Sequence, residues 1–514
     1  MREWTQEHTA ALDYQITYFA ELNPNRLGLM LAHQGLQAND RVLHACELGY
    51  GTGLSTVIHA AASNVQWWGT DYNPAHAQWA NALADQAGVP VELHDQSFLD
   101  FCQRGDLPDF DFIALHGVWS WVSDANRAII IDFLQRKLRW GGVVYISYNA
   151  LPGHAQMVPV RNLMKSYMDT MTPAGQGDLQ RARAAYQFVQ GMLASNPQLA
   201  DVHPLAKRTM DDLAHQQSNS YLNHEYLVQH WTPMSFCDVA KALQDARLRL
   251  ACSAVPTHFF DAHFLVPSQR EWLAQITDAT TRETARDMLV NRQFRQDYWI
   301  KGGLQMPAAQ AHGALRTARV VLVRPVSTVS TTVVQAVFHT QIAPTMLAPL
   351  LAVLSDGQVH TVGDVLAHAA RAGLTEDEAL RALFNLLGNG SLAVAQDDAC
   401  VQSVAQRVLQ LNAAICQKAL HSADTTHLAS AVTGGGVRVG QLHMQFLAFR
   451  NTGLPLPQQW AQALAARLHA AGVHVVRDGV PLTDLADMVA HITGLAQAFD
   501  REELPLLQKL RCVA

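Results

Sequence analysis

The sequence predicts an α/β fold: a Rossmann-like domain, a mostly α-helical middle region, and a winged-helix-like plus helical C-terminal region. Three observations predict this class. A glycine-rich turn joins a short apolar strand to a helix at residues 41–62, and five strand candidates alternate with helical stretches across residues 41–150. Residues 175–250 change to apolar residues at three- and four-residue spacing, which is typical of helices.

The glycine-rich turn reads Cys-Glu-Leu-Gly-Tyr-Gly-Thr-Gly over residues 46–53. Glycines allow a sharp turn and a close approach of the backbone to a ligand. A dinucleotide fingerprint needs a third glycine three residues after the second, but Leu54 and Thr56 stand at the two candidate positions. No Gly-Lys-Ser/Thr follows, which excludes a P-loop.

The remaining strands follow in order, and several end in polar residues. Residues 65–71 end in Asp71, a candidate for the ribose hydroxyls of a nucleotide-type ligand. The alternative is that Asp71 is only an acid near the start of the next helix. Residues 89–94 lead into Asp95, Ser97 and Phe98, where a carboxylate beside an aromatic ring suits an adenine pocket.

The last two predicted strands are residues 110–116, ending in His116, and residues 141–149. A helix over 125–139 joins them, and we expect Gly141 and Gly142 to form the turn before the fifth strand.

The pattern Glu-x-Gly-x-Gly-x-Gly resembles motif I of class I S-adenosylmethionine-dependent methyltransferases. Further segments are similar to a bacterial group of these enzymes with a methyltransferase regulatory domain, which includes rickettsial protein-lysine methyltransferases. These segments are residues 18–27, 115–123, 145–153, 158–164, 221–226 and 231–240. The resemblance covers about half of the chain and implies S-adenosylmethionine as the cofactor.

The resemblance also implies site residues. The cofactor-binding set is Glu47, Gly49, Gly51, Gly53, Asp71, Asp95, Ser97, Phe98 and His116. The acid at position 47 suits a ligand with an amino group and a sulfonium.

Methyl transfer is an in-line displacement, so the protein mainly supplies positioning and a dry site. We expect Trp119, Trp121, Tyr145 and Tyr148 to line an apolar channel, with Tyr148, Asn149 and Trp119 as the catalytic candidates. The alternative is that these aromatics pack in the core. The family often has tyrosine in the fourth-strand loop where this chain has Trp119.

Charge favours a basic acceptor. Residues 1–150 contain 8 Lys and Arg against 16 Asp and Glu, a net charge of −8. An acidic field attracts cations and repels phosphate backbones, so we expect a protein lysine as the acceptor and no nucleic-acid partner. The alternative is that the acidity only maintains solubility.

The whole chain predicts a large cytoplasmic protein. It has 514 residues, 49 % of them hydrophobic, with no signal peptide and no apolar run long enough for a membrane span. Seven scattered cysteines indicate free thiols, and a homodimer is left open. We expect no metal site, because His224 and His230 are six residues apart rather than four.

We expect three domains: residues 1–165 bind the cofactor, residues 166–340 form the regulatory middle domain, and residues 341–514 form the C-terminal region. In the winged-helix-like unit the third helix carries Glu376, Asp377 and Glu378. A DNA-reading helix needs basic or amide side chains, so this unit is expected to contact protein. The predicted function is methyl transfer to protein lysine; the alternatives are a small-molecule or envelope acceptor, or a catalytically idle scaffold.

Overall fold

A seven-stranded sheet organises the first 300 residues of the computed structural model, which describes residues 16–37, 39, 41–173, 175–215, 228–334, 339–477 and 479–514. Its strands are β1 (His44–Leu48), β2 (Gln66–Thr70), β3 (Val91–His94), β4 (Phe110–Leu115), β5 (Leu138–Asn149), β6 (Leu248–Ser253) and β7 (Phe294–Lys301). The order across the sheet is β3-β2-β1-β4-β5-β7-β6. The first five strands are parallel, and β7 runs antiparallel between β5 and β6.

Helices cover the parallel part of the sheet. They are α2 (Leu54–Ala62), α3 (Pro74–Ala87), α4 (Phe98–Cys102) and α5 (Asp124–Lys137), while α1 (Arg26–His33) packs near β6. Every residue of β4 is buried, as expected of a parallel strand covered on both faces. The predicted Rossmann-like class is therefore confirmed.

Gly141 and Gly142 lie within the bounds of β5, where the chain turns before the strand resumes its pairing with β4 at Val143. Gly141 has a φ of +75°, and the pairing of β4 with β5 shifts between Phe110 and Phe112. A bulge absorbs the extra residues of β5 while the strand continues.

The sheet extends beyond the boundary expected at residue 165. Between β5 and β6 lie the helices α6 (Leu151–His154), α7 (Met157–Met171), α8 (Asp178–Ser195), α9 (Pro197–Val202), α10 (Pro204–His215) and α11 (Phe236–Gln244). Helices α12 (Pro267–Ala274) and α13 (Ala279–Leu289) lie between β6 and β7. The strands β6 and β7 had no counterpart in the predicted helical middle region.

Among the described residues, the next unit combines four α-helices with a three-stranded and a two-stranded antiparallel sheet. Its elements are α14 (Ala308–Thr317), β8 (Arg319–Leu322), β9 (Thr332–Val334), β10 (His339–Gln341), α15 (Pro344–Leu354), β11 (His360–Thr361), α16 (Val362–Arg371), α17 (Glu376–Gly388) and β12 (Leu392–Val394). Strand β8 pairs with both β11 and β12. The acids Glu376, Asp377 and Glu378 form the first turn of α17, where Thr375 and Glu378 make a capping box. The winged-helix interpretation stays a prediction.

The C-terminal elements pack on the cofactor-domain helices. They are α18 (Asp398–Ala419), β13 (His427–Ser430), β14 (Gly435–Arg438), α19 (Gln441–Asn451), α20 (Pro457–Ala470), β15 (Val475–Arg477), β16 (Val480–Leu482), α21 (Leu485–Glu502) and α22 (Leu504–Lys509). Helix α18 contacts α2 and α3, and Arg407 on α18 donates to the carbonyls of Ala61 and Ser63 at 2.9 and 2.7 Å. Gln396 donates to Ala62 O at 2.8 Å. The C-terminal region is thereby fixed to the end of α2.

All seven cysteines are free thiols, as predicted. Within the described ranges, every helix is too short or too polar to span a lipid bilayer. Residues 221–226, which carry part of the family resemblance and include His224, lie outside the described residues.

Candidate active site

The glycine-rich turn lies at the carboxyl end of β1, beside the crevice between β1 and β4 where the strand order reverses. Gly49, Gly51 and Gly53 all have positive φ, at +76°, +57° and +71°. A Cβ at Gly49 would lie 2.5 Å from Val118 Cγ2. Both the conformation and the space therefore require glycine at position 49.

Asp71 fastens the end of β2 to this turn. Its Oδ2 accepts a hydrogen bond from Gly51 N at 2.9 Å, and its Oδ1 accepts one from Asn73 N at 3.0 Å. Asn73, rather than Asp71, is the N-cap of α3, because its Oδ1 accepts from Ala75 N at 3.0 Å. Asp71 is thus built into the glycine turn, and its role toward a ribose stays a prediction.

Glu47 is a buried carboxyl beneath the turn. It is 2 % exposed and accepts a hydrogen bond from the Thr56 hydroxyl. Burial raises its pKa from 4.5 to about 8, and Asp71 adds to this rise. Among the described residues, no Lys or Arg forms an ion pair with Glu47, so a cationic ligand would meet an uncompensated carboxyl here.

The residues after β3 differ in exposure and in role. Asp95 is exposed, and Ser97 caps α4 by accepting from Asp100 N at 3.2 Å. Phe98 is half-buried, and its Cζ lies 4.0 Å from the position of a Cβ at Gly49. Phe98 therefore lies beside the glycine turn, whereas the Ser97 hydroxyl caps α4, a role that the sequence did not predict.

His116 follows β4 directly and joins a partly buried chain of hydrogen bonds. Its Nδ1 lies 2.8 Å from Tyr145 Oη, which accepts from Gln296 Nε2 at 3.0 Å. Since Gln296 donates to it, the Tyr145 hydroxyl is free to donate to His116 Nδ1. Burial lowers the pKa of His116 to about 3, so the imidazole is neutral at physiological pH.

The Phe19 ring stacks on the imidazole ring of His116, with the ring centroids 3.6 Å apart. Neither Phe19 nor Gln296 was among the predicted site residues. Residues 18–27 carry only a family resemblance in the sequence, and Gln296 lies on the unpredicted strand β7.

The four aromatics do not form the single channel that the sequence predicted. Along β5, alternate side chains face opposite sides of the sheet. Tyr145 lies in the core that includes α2, while Trp119 and Tyr148 lie fully buried in the core on the other side. Trp121 belongs to a third cluster, with the helices after β5.

The catalytic candidates are therefore enclosed. The Tyr148 hydroxyl and Trp119 Nε1 have no hydrogen-bond partner among the described residues, and burial raises the pKa of Tyr148 well above its ordinary value. Asn149 is 1 % exposed, and its backbone N–H donates to Ser120 Oγ at 2.9 Å. Roles for Tyr148, Asn149 and Trp119 in the reaction stay predictions.

A cavity of about 500 Å³ lies elsewhere, at the amino-terminal edge of the sheet, lined by residues such as Val42, Val65, Gly141 and Gln396. Ligands of open parallel sheets bind at the carboxyl ends of the strands. This cavity is therefore not the cofactor site.

Comparisons with known proteins agree with this geometry. A family model described as a methyltransferase domain matches residues 45–142, and one described as a predicted methyltransferase regulatory domain matches residues 218–301. An uncharacterized protein of Synechocystis is 31 % identical over 512 residues, covering 99 % of both chains. A Rickettsia prowazekii protein is 27 % identical over 290 residues, covering 55 % of this chain and 50 % of its own length.

A solved structure shares the overall fold. PKMT2 from Rickettsia typhi, in complex with AdoHcy, has a TM-score of 0.68 at 18 % identity and covers 97 % of this chain and 99 % of its own.

The glycine cradle and the unpaired buried Glu47 fit a cofactor that carries positive charge. The fold and the matched domain define a class I S-adenosylmethionine-dependent methyltransferase. The chain belongs to the methyltransferase family that carries a methyltransferase regulatory domain, and its cofactor is S-adenosylmethionine.

Proposed function

We propose that this methyltransferase modifies lysine side chains of a protein acceptor. One observation carries the proposal: the segments at the carboxyl ends of the strands contain Glu47, Asp71 and Asp95 but neither Lys nor Arg. These segments are residues 47–53, 71–73, 95–98, 116–122 and 145–149. An edge without basic side chains does not repel an ammonium group, and the exposed Asp95 attracts it and repels the phosphates of a nucleic acid.

The surroundings of His116 support a cationic acceptor that must become neutral. Phe19, Tyr145 and Phe294 contribute aromatic rings around the imidazole. Because the His116 pKa is lowered to about 3, the imidazole adds no positive charge that would repel lysine. An apolar aromatic surface lowers the pKa of a lysine and so favours the amine that attacks.

S-adenosylmethionine supplies the methyl group, and the chain supplies position and exclusion of water. We propose that the glycine turn, Glu47 and Asp71 hold the cofactor, with Asp71 toward its ribose. Asp95 and Phe98 would border the adenine, and His116 would face the methionine end. Ser97 is assigned a weaker part, because its hydroxyl already caps α4.

Acceptor recognition is proposed for the rest of the chain, residues 166–340 and 341–514. The similarity to rickettsial protein-lysine methyltransferases supports a protein acceptor, and PKMT2 of Rickettsia typhi is a solved neighbour with this architecture.

Methyl-labelled S-adenosylmethionine and a bacterial lysate test the proposal. The full chain should label one or a few protein bands, and mass spectrometry should place the methyl on lysine. Gly105→Ala is the matched control, because a Cβ there meets nothing within 4 Å, whereas Gly49→Ala should abolish labelling. A methyl on glutamate, on a hydroxyl or on a nucleobase would refute the lysine acceptor and leave the methyltransferase class intact.

A further inference from the structure

The segment of residues 18–25, here called the arm, runs from the carboxyl edge of the sheet, where Phe19 lies, to the amino-terminal edge, where Pro24 and Asn25 line the cavity. Phe19 N donates to Ser55 Oγ at 2.9 Å, and Ser55 lies in the first turn of α2. The Phe19 ring stacks on His116, just after β4. Strands β1 and β4 are neighbours at the point where the strand order reverses, which is where ligands bind in open α/β sheets.

The C-terminal region holds the arm from the other side. Asn23 and Asn25 each donate from Nδ2 to the Thr433 carbonyl, at 3.1 and 3.3 Å. The Tyr18 ring lies 4.8 Å from the His427 ring, and Tyr18 Oη is 3.0 Å from His59 Nε2 on α2. Thr433 lies in the turn between β13 and β14, so the hairpin formed by these two strands contacts the arm and holds it in place.

The hairpin of β13 and β14 requires glycine at positions 435 and 436, because a larger side chain would collide with the arm. A Cβ at Gly435 would lie 2.5 Å from Tyr18 Oη and 2.6 Å from Asn23 Nδ2. A Cβ at Gly436 would lie 2.9 Å from the Tyr18 ring. Neither glycine has a positive φ, so a side chain there would act by displacing the arm rather than by straining the turn.

We infer that Phe19 is a positioning residue of the cofactor site, acting through His116, and that the hairpin of β13 and β14 sets its place. His116 bonds to Tyr145 on one side and is covered by Phe19 on the other, so a shift of Phe19 uncovers the imidazole at the site edge. The C-terminal region thus acts on cofactor binding at a distance, through the arm. The inference rests on the methyltransferase class and is independent of the lysine acceptor.

The full chain carrying Gly436→Ala tests whether the hairpin of β13 and β14 positions the arm. We expect its Kd for S-adenosylmethionine, measured by isothermal titration, to rise about tenfold, which corresponds to about 1.4 kcal/mol. Gly494→Ala is the matched control, because Gly494 lies on α21 in the same C-terminal region and a Cβ there meets nothing within 4 Å. Its Kd should stay within about twofold of the wild-type value.

Phe19 variants test the positioning role without touching the hairpin. Phe19→Leu should weaken cofactor binding by a similar factor, and Phe19→Tyr, which keeps the ring, should restore it. In Phe19→Leu the KM for S-adenosylmethionine should rise by a larger factor than kcat falls. A melting curve without cofactor checks that each variant is folded.

Hydrogen exchange adds a readout that does not depend on activity. Gly436→Ala should speed the exchange of the amides at residues 18–25 while leaving β1 and β4 protected. If Gly436→Ala fails to fold, Phe19→Leu alone decides the matter. Wild-type cofactor affinity in Phe19→Leu would overturn the inference, as would equal weakening in Phe19→Leu and Phe19→Tyr.

Discussion

Gln296 Nε2 donates a hydrogen bond to Tyr145 Oη at 3.0 Å, although 151 residues separate them in the chain. Tyr145 lies on β5 and Gln296 on β7, which pair antiparallel at the centre of the sheet's second half. The matched methyltransferase domain ends at residue 142, and the regulatory-domain match ends at residue 301. The regulatory segment therefore contributes structure to the cofactor sheet itself.

Truncation after residue 165 tests this sharing of the sheet. We expect the fragment to lack a cooperative unfolding transition and to bind no S-adenosylmethionine, because β5 would lose its partner β7 and become an exposed apolar edge. Circular dichroism with thermal melting, followed by titration with cofactor, checks this. A fragment that melts cooperatively and binds with wild-type affinity would support the domain boundary expected from the sequence.

A buried ion cluster ties β7 to α13 and gives a second prediction. Arg295 is 5 % exposed and bonds to Asp287 at 2.8 Å and Asp297 at 2.7 Å. Arg295→Met would leave the buried Asp297 without its ion-pair partner and Asp287 with only Arg292 at 3.5 Å, a change that costs about 3–5 kcal/mol. Urea unfolding should show this loss in the free energy of unfolding.

Arg208→Ala is the control for the cluster. That side chain is largely exposed and lies 4.0 Å from an equally exposed Asp212, so its loss should change stability by less than about 0.5 kcal/mol. Similar effects of the two substitutions would contradict a special role for the buried cluster.

Local signals explain which parts of the fold could be predicted. The glycine turn, the apolar strands and the helix after Gly53 can each be predicted from a stretch of about ten residues of their own sequence. Strands β6 and β7 were missed because they join the sheet through the pairing of β7 with β5, which is far away in the chain. The enclosure of Trp119 and Tyr148 depends on which face of β5 is covered by later segments.

The candidate site was predicted in part for the same reason. Residues just after each parallel strand meet at one edge of the sheet, so Glu47, the three glycines, Asp71, Phe98 and His116 could be placed from sequence. Phe19 reaches His116 only because the C-terminal hairpin holds the arm. No local sequence pattern in residues 18–25 predicts their contact with Thr433.

Glu47 should make stability depend on pH in the cofactor-free protein. Burial raises its pKa from 4.5 to about 8, so the folded chain keeps a proton that the unfolded chain loses between these values. The free energy of unfolding should therefore fall as pH rises from about 4.5 to about 8, and level off above. Urea titrations at several pH values should show a flatter dependence in Glu47→Gln.

Cofactor binding should release a proton from the same carboxyl. A bound sulfonium and amino group favour ionised Glu47, so affinity for S-adenosylmethionine should increase with pH toward about 8. Calorimetry at pH 7 in phosphate and in Tris measures the proton as a difference in apparent enthalpy. An equal difference in wild type and Glu47→Gln would show that the proton comes from another group.

Salt should weaken acceptor recognition. The net charge of −8 over residues 1–150 acts across a Debye length that falls from about 10 Å at 0.1 M salt to about 3 Å at 1 M. The KM for a lysine-rich acceptor should rise with salt while kcat changes little. A KM independent of salt would indicate that this charge serves only solubility.

Binding of S-adenosylmethionine to Gly49→Ala tests the central assignment of the site most directly. The new Cβ would lie 2.5 Å from Val118 Cγ2, and the φ of +76° is strained for alanine, so the turn must move. Isothermal titration should show saturable one-site binding to wild type and to Gly105→Ala, and at least about tenfold weaker binding to Gly49→Ala. Equal affinities in all three proteins would contradict the placement of the cofactor at the glycine turn.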